Sequence, residues 1–211
     1  MKYKYIVFDF NGTIIDDVDL CLNLLNEMLE VEDLPLVSLE KYKNIFTFPI
    51  IEYYKKAGFT FQKHSFKELS EWFVKKYQPM SFKCNLFDGI VKTITKLKED
   101  GYKIILLSAS QKDNLLEQTT KFNITNLFEN ILGIDNIEAK SKLEIARRYF
   151  DKNNIDMKEC LFIGDSTHDY EVGNTLGGDV ILVSYGHQSK EVLSKCNVPI
   201  IDSIYELENY L

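Results

Sequence analysis

The chain has 211 residues, of which 45% are hydrophobic, and it carries a formal net charge of −7. This length and apolar content suffice for one large α/β domain, or for a core domain with a small insertion, and they argue against a disordered chain. The negative charge argues against a nucleic-acid groove, because binding a phosphate backbone needs clustered Lys and Arg. The four cysteines lie far apart without a CxxC pair, so they indicate neither a zinc site nor a disulfide framework.

The apolar runs of the chain are too short for a signal peptide or a membrane span. We therefore expect a soluble, cytoplasmic protein with no membrane partner and no nucleic-acid partner. The sequence leaves open whether it is a monomer or a dimer.

Short runs rich in β-branched and large apolar residues predict buried parallel strands. The runs are "YIVF" (5–8), "KIILL" (103–107), "CLFIG" (160–164), "DVILV" (179–183) and "VPII" (198–201). Amphipathic stretches such as "GIVKTITKLKEDG" and "KLEIARRYF" lie between them and predict helices. This alternation predicts an α/β fold in which helices cover both faces of a parallel sheet.

Residues 16–82 show helical patterns without a comparable strand. We predict that they form a small all-helical cap domain inserted after the first strand, and that residues 1–15 and 83–211 form the catalytic core. The aromatic stripe of Trp72, Phe73 and Tyr77 is predicted to lie in the interior of this cap rather than to bind a ligand.

Polar residues stand directly after the predicted strands. Asp9 follows the first strand, Ser108 follows "KIILL", and Asp165 follows "CLFIG", with Asp169 one helical turn further on. Lys140 precedes the helix "KLEIARRYF". Because ligands bind at the carboxyl ends of parallel strands, we expect these side chains to form one site.

Three carboxylates in one crevice would repel one another unless a cation lies between them. Mg²⁺ suits the side chains of Asp9, Asp165 and Asp169, since it binds a few carboxylates and takes further ligands from water and a substrate phosphate. The pattern therefore predicts a magnesium site next to a phosphoryl-binding site.

The phosphoryl group needs positive charge and hydrogen-bond donors around it. We expect the charge from Lys140, a hydroxyl from Ser108, and backbone contacts from Gly12, Thr13 and Ala109. Gly12 would allow the loop to approach the phosphate closely, because it has no side chain.

Four motifs resemble, in order, those of the haloacid dehalogenase superfamily, whose members are mostly magnesium-dependent phosphatases that form an aspartyl-phosphate. They are "DFNGT", "LLSAS", Lys140 in "AKSKLEIA", and "GDSTHD". The helical cap and the ending "IDSIYELENYL" are similar to phosphoglycolate-phosphatase-like members. The resemblance implies a three-layer Rossmann-like core, Mg²⁺ as the cofactor, and a small phosphorylated metabolite as the substrate.

The resemblance also implies roles for individual residues. Asp9 matches the nucleophile, Ser108 the phosphoryl-binding hydroxyl, and Asp165 with Asp169 the acidic metal-binding motif. Lys140 matches the charge-neutralising lysine.

Lys142 is the alternative to Lys140, because both lie in "AKSK". We prefer Lys140, since the family lysine lies about four residues before an acidic-aliphatic pair, here Glu144 and Ile145.

Asn11 departs from the family pattern, in which a second Asp protonates the leaving group and activates water. An amide does not titrate near neutral pH, so we expect a loss of roughly two to four decades of rate. The backbone carbonyl of Asn11 can still bind the metal. The enzyme can instead act on substrates with good leaving groups, Asp16, Asp17 or His168 can be a substitute, or the phosphorylated Asp9 can be long-lived. Deamidation of the Asn-Gly pair can restore an Asp, and an engineered substitution is a further explanation.

The sequence thus predicts a Mg²⁺-dependent phosphatase of small phosphate monoesters, slowed by Asn11. Two alternatives stay open: a phosphate-binding or regulatory protein with little turnover, and a haloacid dehalogenase, against which the acidic motif argues. His168 and His187 are expected to be exposed loop residues near the cleft. Phe46 and Thr47 are candidates for cap residues that enter the site.

Overall fold

The computed structural model of the chain describes residues 2–134 and 141–211. Strands and helices alternate through most of these residues. The strands are β1 (Tyr5–Phe8), β2 (Ile15–Asp16), β3 (Asn85–Leu86), β4 (Lys103–Gln111), β5 (Asn130–Ile134), β6 (Cys160–Gly164), β7 (Asp179–Val183) and β8 (Ile200–Ile201). The helices are α1 (Val18–Val31), α2 (Leu39–Ile45), α3 (Ile50–Ala57), α4 (Phe66–Ser81), α5 (Ile90–Glu99), α6 (Lys112–Lys121), α7 (Lys142–Lys152), α8 (Thr167–Leu176) and α9 (Lys190–Leu193). None of the described helices is long and apolar enough to cross a bilayer.

Six strands form one parallel sheet in the order β5-β4-β1-β6-β7-β8. β1 lies in its middle, where Phe8 is in register with Leu106 of β4 and Ile163 of β6. The residues that follow β1 and β6 therefore reach the same edge of the sheet, next to the last residues of β4.

Alternate side chains of each strand enter two separate apolar layers. In β1, Ile6 and Phe8 pack in the layer under α5 and α6, whereas Val7 packs in the layer under α7, α8 and α9. Each layer buries the apolar stripe of its helices, as the period of the sequence indicates. The predicted α/β fold with a helix-covered parallel sheet is confirmed.

Two strands differ from their predicted extent. β5 is not among the predicted strands, because "NILGI" contains Asn and Gly and lies at the sheet edge, half-buried, where no continuous apolar run is needed. β4 extends beyond the predicted "KIILL" to Gln111 and thus includes Ser108.

The cap segment, residues 16–82, contains α1 to α4 and packs around its own apolar cluster, which includes Leu25, Met28 and Tyr42. β2 and β3 pair antiparallel where the chain enters and leaves this segment. The division into a core of 1–15 and 83–211 and a cap domain of 16–82 stays a prediction.

We predict that Leu106→Ala lowers the free energy of unfolding by about 2–5 kcal/mol, because it removes a fully buried side chain from the central sheet. Val91→Ala is the matched control: its side chain is 42% exposed, and we expect a change within about 0.5 kcal/mol. Urea denaturation followed by circular dichroism measures both. Equal effects of the two substitutions would contradict this description of the core.

Candidate active site

Adjacent strand ends bring the predicted acidic residues together. Asp9 follows β1, and its backbone NH donates to the carbonyl of Ile163 in β6, at 2.9 Å. Asp165 follows β6, and Asp169 lies in the first turn of α8, where its carboxylate and Ser166 cap the helix reciprocally. Carboxylate oxygens of Asp9, Asp165 and Asp169 lie within 4.8 Å of one another.

The ammonium group of Lys142 supplies positive charge to this cluster of three carboxylates. Its Nζ donates to Asp9 Oδ1 and to Asp169 Oδ1, each at 2.5 Å, and its side chain is only 4% exposed. The preferred sequence candidate, Lys140, lies outside the described residues. The alternative, Lys142, thus makes the contacts that were expected of the site lysine.

Burial sets the protonation of the three carboxyls. It raises the pKa of Asp9 to about 8, and nearby Asp169 and Asp165 add to the effect of burial while Lys142 opposes it. It also raises the pKa of Asp165 to about 6, against the lowering effect of His187. The pKa of Asp169 shifts in the opposite direction: burial favours its neutral form, but Lys142, Ser166 and His168 together outweigh burial and lower the pKa.

This donor set fits a hard divalent cation. Three carboxylates and one ammonium group formally leave two negative charges in a largely buried place, and Asp9 relieves part of this by binding a proton. Mg²⁺ prefers carboxylate oxygens and would neutralise the same two charges.

The phosphoryl-binding candidates are placed next to these carboxylates. Ser108 is buried, and its Oγ accepts from the backbone NH of Ser110 at 3.0 Å, which leaves the hydroxyl proton free to donate. Ser108 and Ala109 both line the cavity above the site.

The loop after β1 approaches the metal-binding cluster closely. A Cβ atom on Gly12, at φ +70°, would lie 2.2 Å from an Asp165 oxygen, so only glycine fits here. The NH of Gly12 donates to Asp17 and Ile15, and that of Thr13 donates to the carbonyl of Phe10. The prediction that these two NH groups hold the phosphate therefore gains no support from the structure.

All polar atoms of the Asn11 side chain are engaged. Its Nδ2 donates to Asp17 Oδ2 at 2.9 Å and lies 2.6 Å from the Tyr77 hydroxyl, and its Oδ1 accepts from Ser110 at 3.0 Å. An Asp at this position would place a second carboxylate beside Asp17. The amide therefore has a structural reason, which the sequence pattern did not reveal.

Asp17 and His187 form a buried ion pair beside Asn11. Nε2 of His187 lies 3.2 Å from Asp17 Oδ1, and both side chains are almost inaccessible. Burial alone would lower the pKa of His187, but the charge and hydrogen bond of Asp17 raise it to about 9. The same pair lowers the pKa of Asp17, again against burial.

The expectation that His187 is an exposed loop residue is wrong. It lies in the β7–α9 loop, residues 184–189, and its backbone NH donates to Asp165 Oδ2 at 2.5 Å. Sequence reasoning missed it because no regular pattern marks a loop that turns inward.

Of the three suggested substitutes for a second Asp, His168 has the most suitable position. It is half-buried, lines the cavity, and stacks on Phe48. Asp17 is saturated with donors, and Asp16 is exposed and outside the cavity lining.

The cap segment closes over the site through the β7–α9 loop. The Tyr42 hydroxyl lies 2.7 Å from Nδ1 of His187, and Gln188 donates to the carbonyl of Phe46 at 2.7 Å. Together they enclose a cavity of about 870 Å³ that has Asp9 at its floor.

Aromatic side chains of the cap form the walls of this cavity. Phe46 lines it, as expected of a cap residue that enters the site, whereas Thr47 does not. The placement of the aromatic stripe is partly wrong: Trp72 and Phe73 pack against the cap cluster, as predicted, but Phe73 and Tyr77 also line the cavity. Helical spacing alone could not decide between the two faces.

We predict that His187 contributes stability that is lost as the pH rises. A group whose pKa is higher in the folded chain stabilises it fully below the unfolded value of about 6.5. With the folded pKa at about 9, we expect a loss on the order of 3 kcal/mol between pH 6.5 and 9. Urea denaturation in the presence of chelator measures the free energy of unfolding at each pH, and the His187→Gln variant is the control.

The stability difference between the parent chain and His187→Gln should narrow across this pH range. Imidazole NMR resonances provide the independent check, with His187 identified by its absence in the variant. A His187 resonance that titrates near pH 6.5 would contradict the prediction.

The chain is similar in sequence to proteins named as phosphatases. A phosphoglycolate phosphatase from Pasteurella multocida is 26% identical over 215 residues, covering 96% of this chain and 92% of that protein. The pyrophosphatase PpaX from Listeria innocua is 22% identical over 175 residues, covering 82% and 79%.

Among solved structures, a haloacid dehalogenase-like hydrolase from Streptococcus pneumoniae matches with a TM-score of 0.85 at 16% identity, covering 99% of this chain and 98% of that one. The sequence model of the haloacid dehalogenase-like hydrolases matches residues 6–183. The chain therefore belongs to the haloacid dehalogenase-like hydrolase family.

Proposed function

We propose that the chain is a magnesium-dependent phosphatase that hydrolyses a small phosphate monoester through an aspartyl-phosphate on Asp9, with turnover slowed by Asn11. The observation that carries the proposal is the cluster of Asp9, Asp165 and Asp169 around the ammonium group of Lys142. The relatives named phosphoglycolate phosphatase and pyrophosphatase support transfer of a phosphoryl group to water as the reaction class.

In the first step, a carboxylate oxygen of Asp9 attacks phosphorus. The new bond to Asp9 forms as the ester bond breaks, and the leaving oxygen departs with the electron pair. Asp9 is suited to this role because 12% of its side chain is exposed, towards the cavity. Lys142 offsets the charge of the two anions, and the Ser108 hydroxyl can donate to a phosphoryl oxygen.

In the second step, a water molecule attacks phosphorus. The bond to Asp9 breaks and its electron pair returns to the carboxylate. Both steps benefit from a group that can give and take a proton, and the amide of Asn11 cannot do either.

Asp9, Asp165 and Asp169 would hold Mg²⁺, with the backbone carbonyl of Asn11 as a further ligand, and the ion would supply charge neutralisation at the phosphoryl group. Binding of the ion would displace the proton that burial keeps on Asp9. A rise in melting temperature with Mg²⁺, absent in Asp165→Asn, therefore tests the metal site without an activity assay.

We predict that Asn11→Asp raises the rate of phosphate release by about 10²–10⁴-fold, because it restores a proton donor. The new carboxyl would lie beside Asp17, which favours its protonated form at neutral pH. Release of phosphate from a panel of small phosphate esters with Mg²⁺ measures the gain.

Asp9→Asn is the matched control in the same loop, and it should abolish release in both backgrounds. If Asn11→Asp also gives no turnover, the phosphatase proposal fails. Tight, metal-dependent phosphate binding without turnover would then favour a binding or regulatory protein. Activity on a haloacid in the presence of chelator would instead favour the dehalogenase chemistry.

We predict that Lys142→Met lowers kcat by at least about 100-fold, since it leaves the charges of Asp9 and Asp169 without a cation. Lys140→Met is the control, with an expected change within about threefold. Circular dichroism verifies that both variants fold. A large loss of kcat in Lys140→Met, with none in Lys142→Met, would show that Lys140 is the charge-neutralising lysine.

A further inference from the structure

The cavity above Asp9 has an aromatic wall and a polar floor. The floor consists of the acidic cluster, Lys142 and Ser108, and the wall comes from the cap segment. The wall rings include Tyr42, Phe46, Phe48, Tyr53, Phe73 and Tyr77. At about 870 Å³ the cavity is large enough for a ring system, and much larger than a two-carbon acid requires.

Several of these rings are held in place by stacking. Phe46 stacks on His187 with ring centroids 4.9 Å apart, Phe48 stacks on His168 at 4.6 Å, and Phe73 stacks on Tyr77 at 5.5 Å. Rings that are already ordered lose little freedom when a ligand ring packs against them, so they favour an aromatic ligand.

The described lining offers no spare cation for a second anionic group. Lys142 is shared between Asp9 and Asp169, and the imidazole of His187 is paired with Asp17. His168 also lines the cavity, but its imidazole lies 3.6 Å from Glu171, and burial lowers its pKa, which favours the neutral ring. A carboxylate or a second phosphate on the substrate would be buried without a partner there, which is unfavourable. The lining therefore favours a substrate whose only charge is the phosphoryl group.

The missing proton donor at position 11 selects the same kind of substrate independently. An alkoxide is a poor leaving group without a proton, whereas a phenol ionises with a pKa near 10, as in Tyr, so a phenolate can leave unprotonated. Asn11 thus disfavours alkyl esters much more than aryl esters.

From these observations we infer that the cavity takes the ring of an aryl phosphate monoester. This inference rests on the proposed phosphatase function. Asp9 oxygen bonds to phosphorus, the bond from phosphorus to the aryl oxygen breaks, and the phenolate leaves with the electron pair and takes its proton from solvent. A water oxygen then bonds to phosphorus, the bond from phosphorus to the Asp9 oxygen breaks with its electron pair returning to the carboxylate, and the released phosphate gives the surplus proton to solvent. The Ser70 hydroxyl is buried in the cavity lining and has no hydrogen-bond partner among the described residues, so it is available to a polar substituent of the ring.

Four substrates test separately whether the cavity prefers a ring and whether the reaction needs a good leaving group. Phenyl phosphate has the ring and the good leaving group, benzyl phosphate has the ring but leaves as an alkoxide, acetyl phosphate has a good leaving group without a ring, and phosphoglycolate has neither and adds a carboxylate. We expect kcat/KM for phenyl phosphate, which reports the step in which the leaving group departs, to exceed that for benzyl phosphate by about 100-fold or more. Asn11→Asp should reduce this gap to within about tenfold.

The aromatic wall is tested by Phe73→Ala. It should raise KM for phenyl phosphate by about tenfold relative to KM for acetyl phosphate, because a packed side chain is lost. Trp72→Ala on the same helix is the matched control, since its ring packs against the cap cluster and does not line the cavity. It should leave the ratio of the two KM values within about twofold.

The outcomes distinguish the inference from the function on which it rests. Hydrolysis of acetyl phosphate or phosphoglycolate with kcat/KM equal to or above that for phenyl phosphate would overturn the aryl inference and leave the phosphatase proposal intact. No Mg²⁺-dependent hydrolysis of any of the four, even in Asn11→Asp, would overturn both. A phosphotyrosyl peptide that is cleaved as well as phenyl phosphate would identify a protein side chain as the source of the aryl ester.

Discussion

Compensation of buried negative charge is the constraint on which the rest of this structure depends. Asp169 is compensated by Lys142 and by the first turn of α8, and Asp165 accepts from the backbone of His187. Asp17 is compensated by His187 and by donors from the loop after β1. The partners of these carboxylates lie on different elements, namely α7, α8 and the β7–α9 loop. The charges of the site are therefore compensated only while these elements keep their folded positions. Removal of one partner from a buried pair costs about 3–5 kcal/mol, so few of these contacts tolerate change.

The chemistry and its surroundings come from different parts of the chain. The sheet edge supplies Asp9, Asp165 and Ser108, whose positions follow from strand register. The cap segment supplies rings and almost no charge to the cavity. Asn11 lies where these two contributions meet: it satisfies Asp17 and contacts Tyr77 of α4, but it offers no titrating proton. The amide of Asn11 thus stabilises the buried charge of Asp17 and, by lacking a titrating proton, also limits which ester bonds the site can cleave.

The sequence predicted most of the core and less of what surrounds it. Asp9 and Asp165 could be predicted to lie together because strand ends are marked by a switch from apolar to polar residues, whereas Ser108 lies within β4 and Asp169 in the first turn of α8. β5 was missed because an edge strand needs no continuous apolar run. His187 and the cavity-facing side of Tyr77 were misplaced because their environment is set by contacts between segments 60 or more residues apart, such as that of Tyr77 with Asp17. Local periodicity carries no information on such contacts.

The β7–α9 loop contacts the cap and the acidic cluster at the same time. Its backbone holds Asp165, while its side chains and backbone hold Tyr42, Lys43 and Phe46 of the cap. The same six residues therefore contact the cap and the acidic cluster together. A displacement of α2 that moved this loop would also shift the backbone NH that donates to Asp165, so the geometry of the carboxylates depends on where the cap lies.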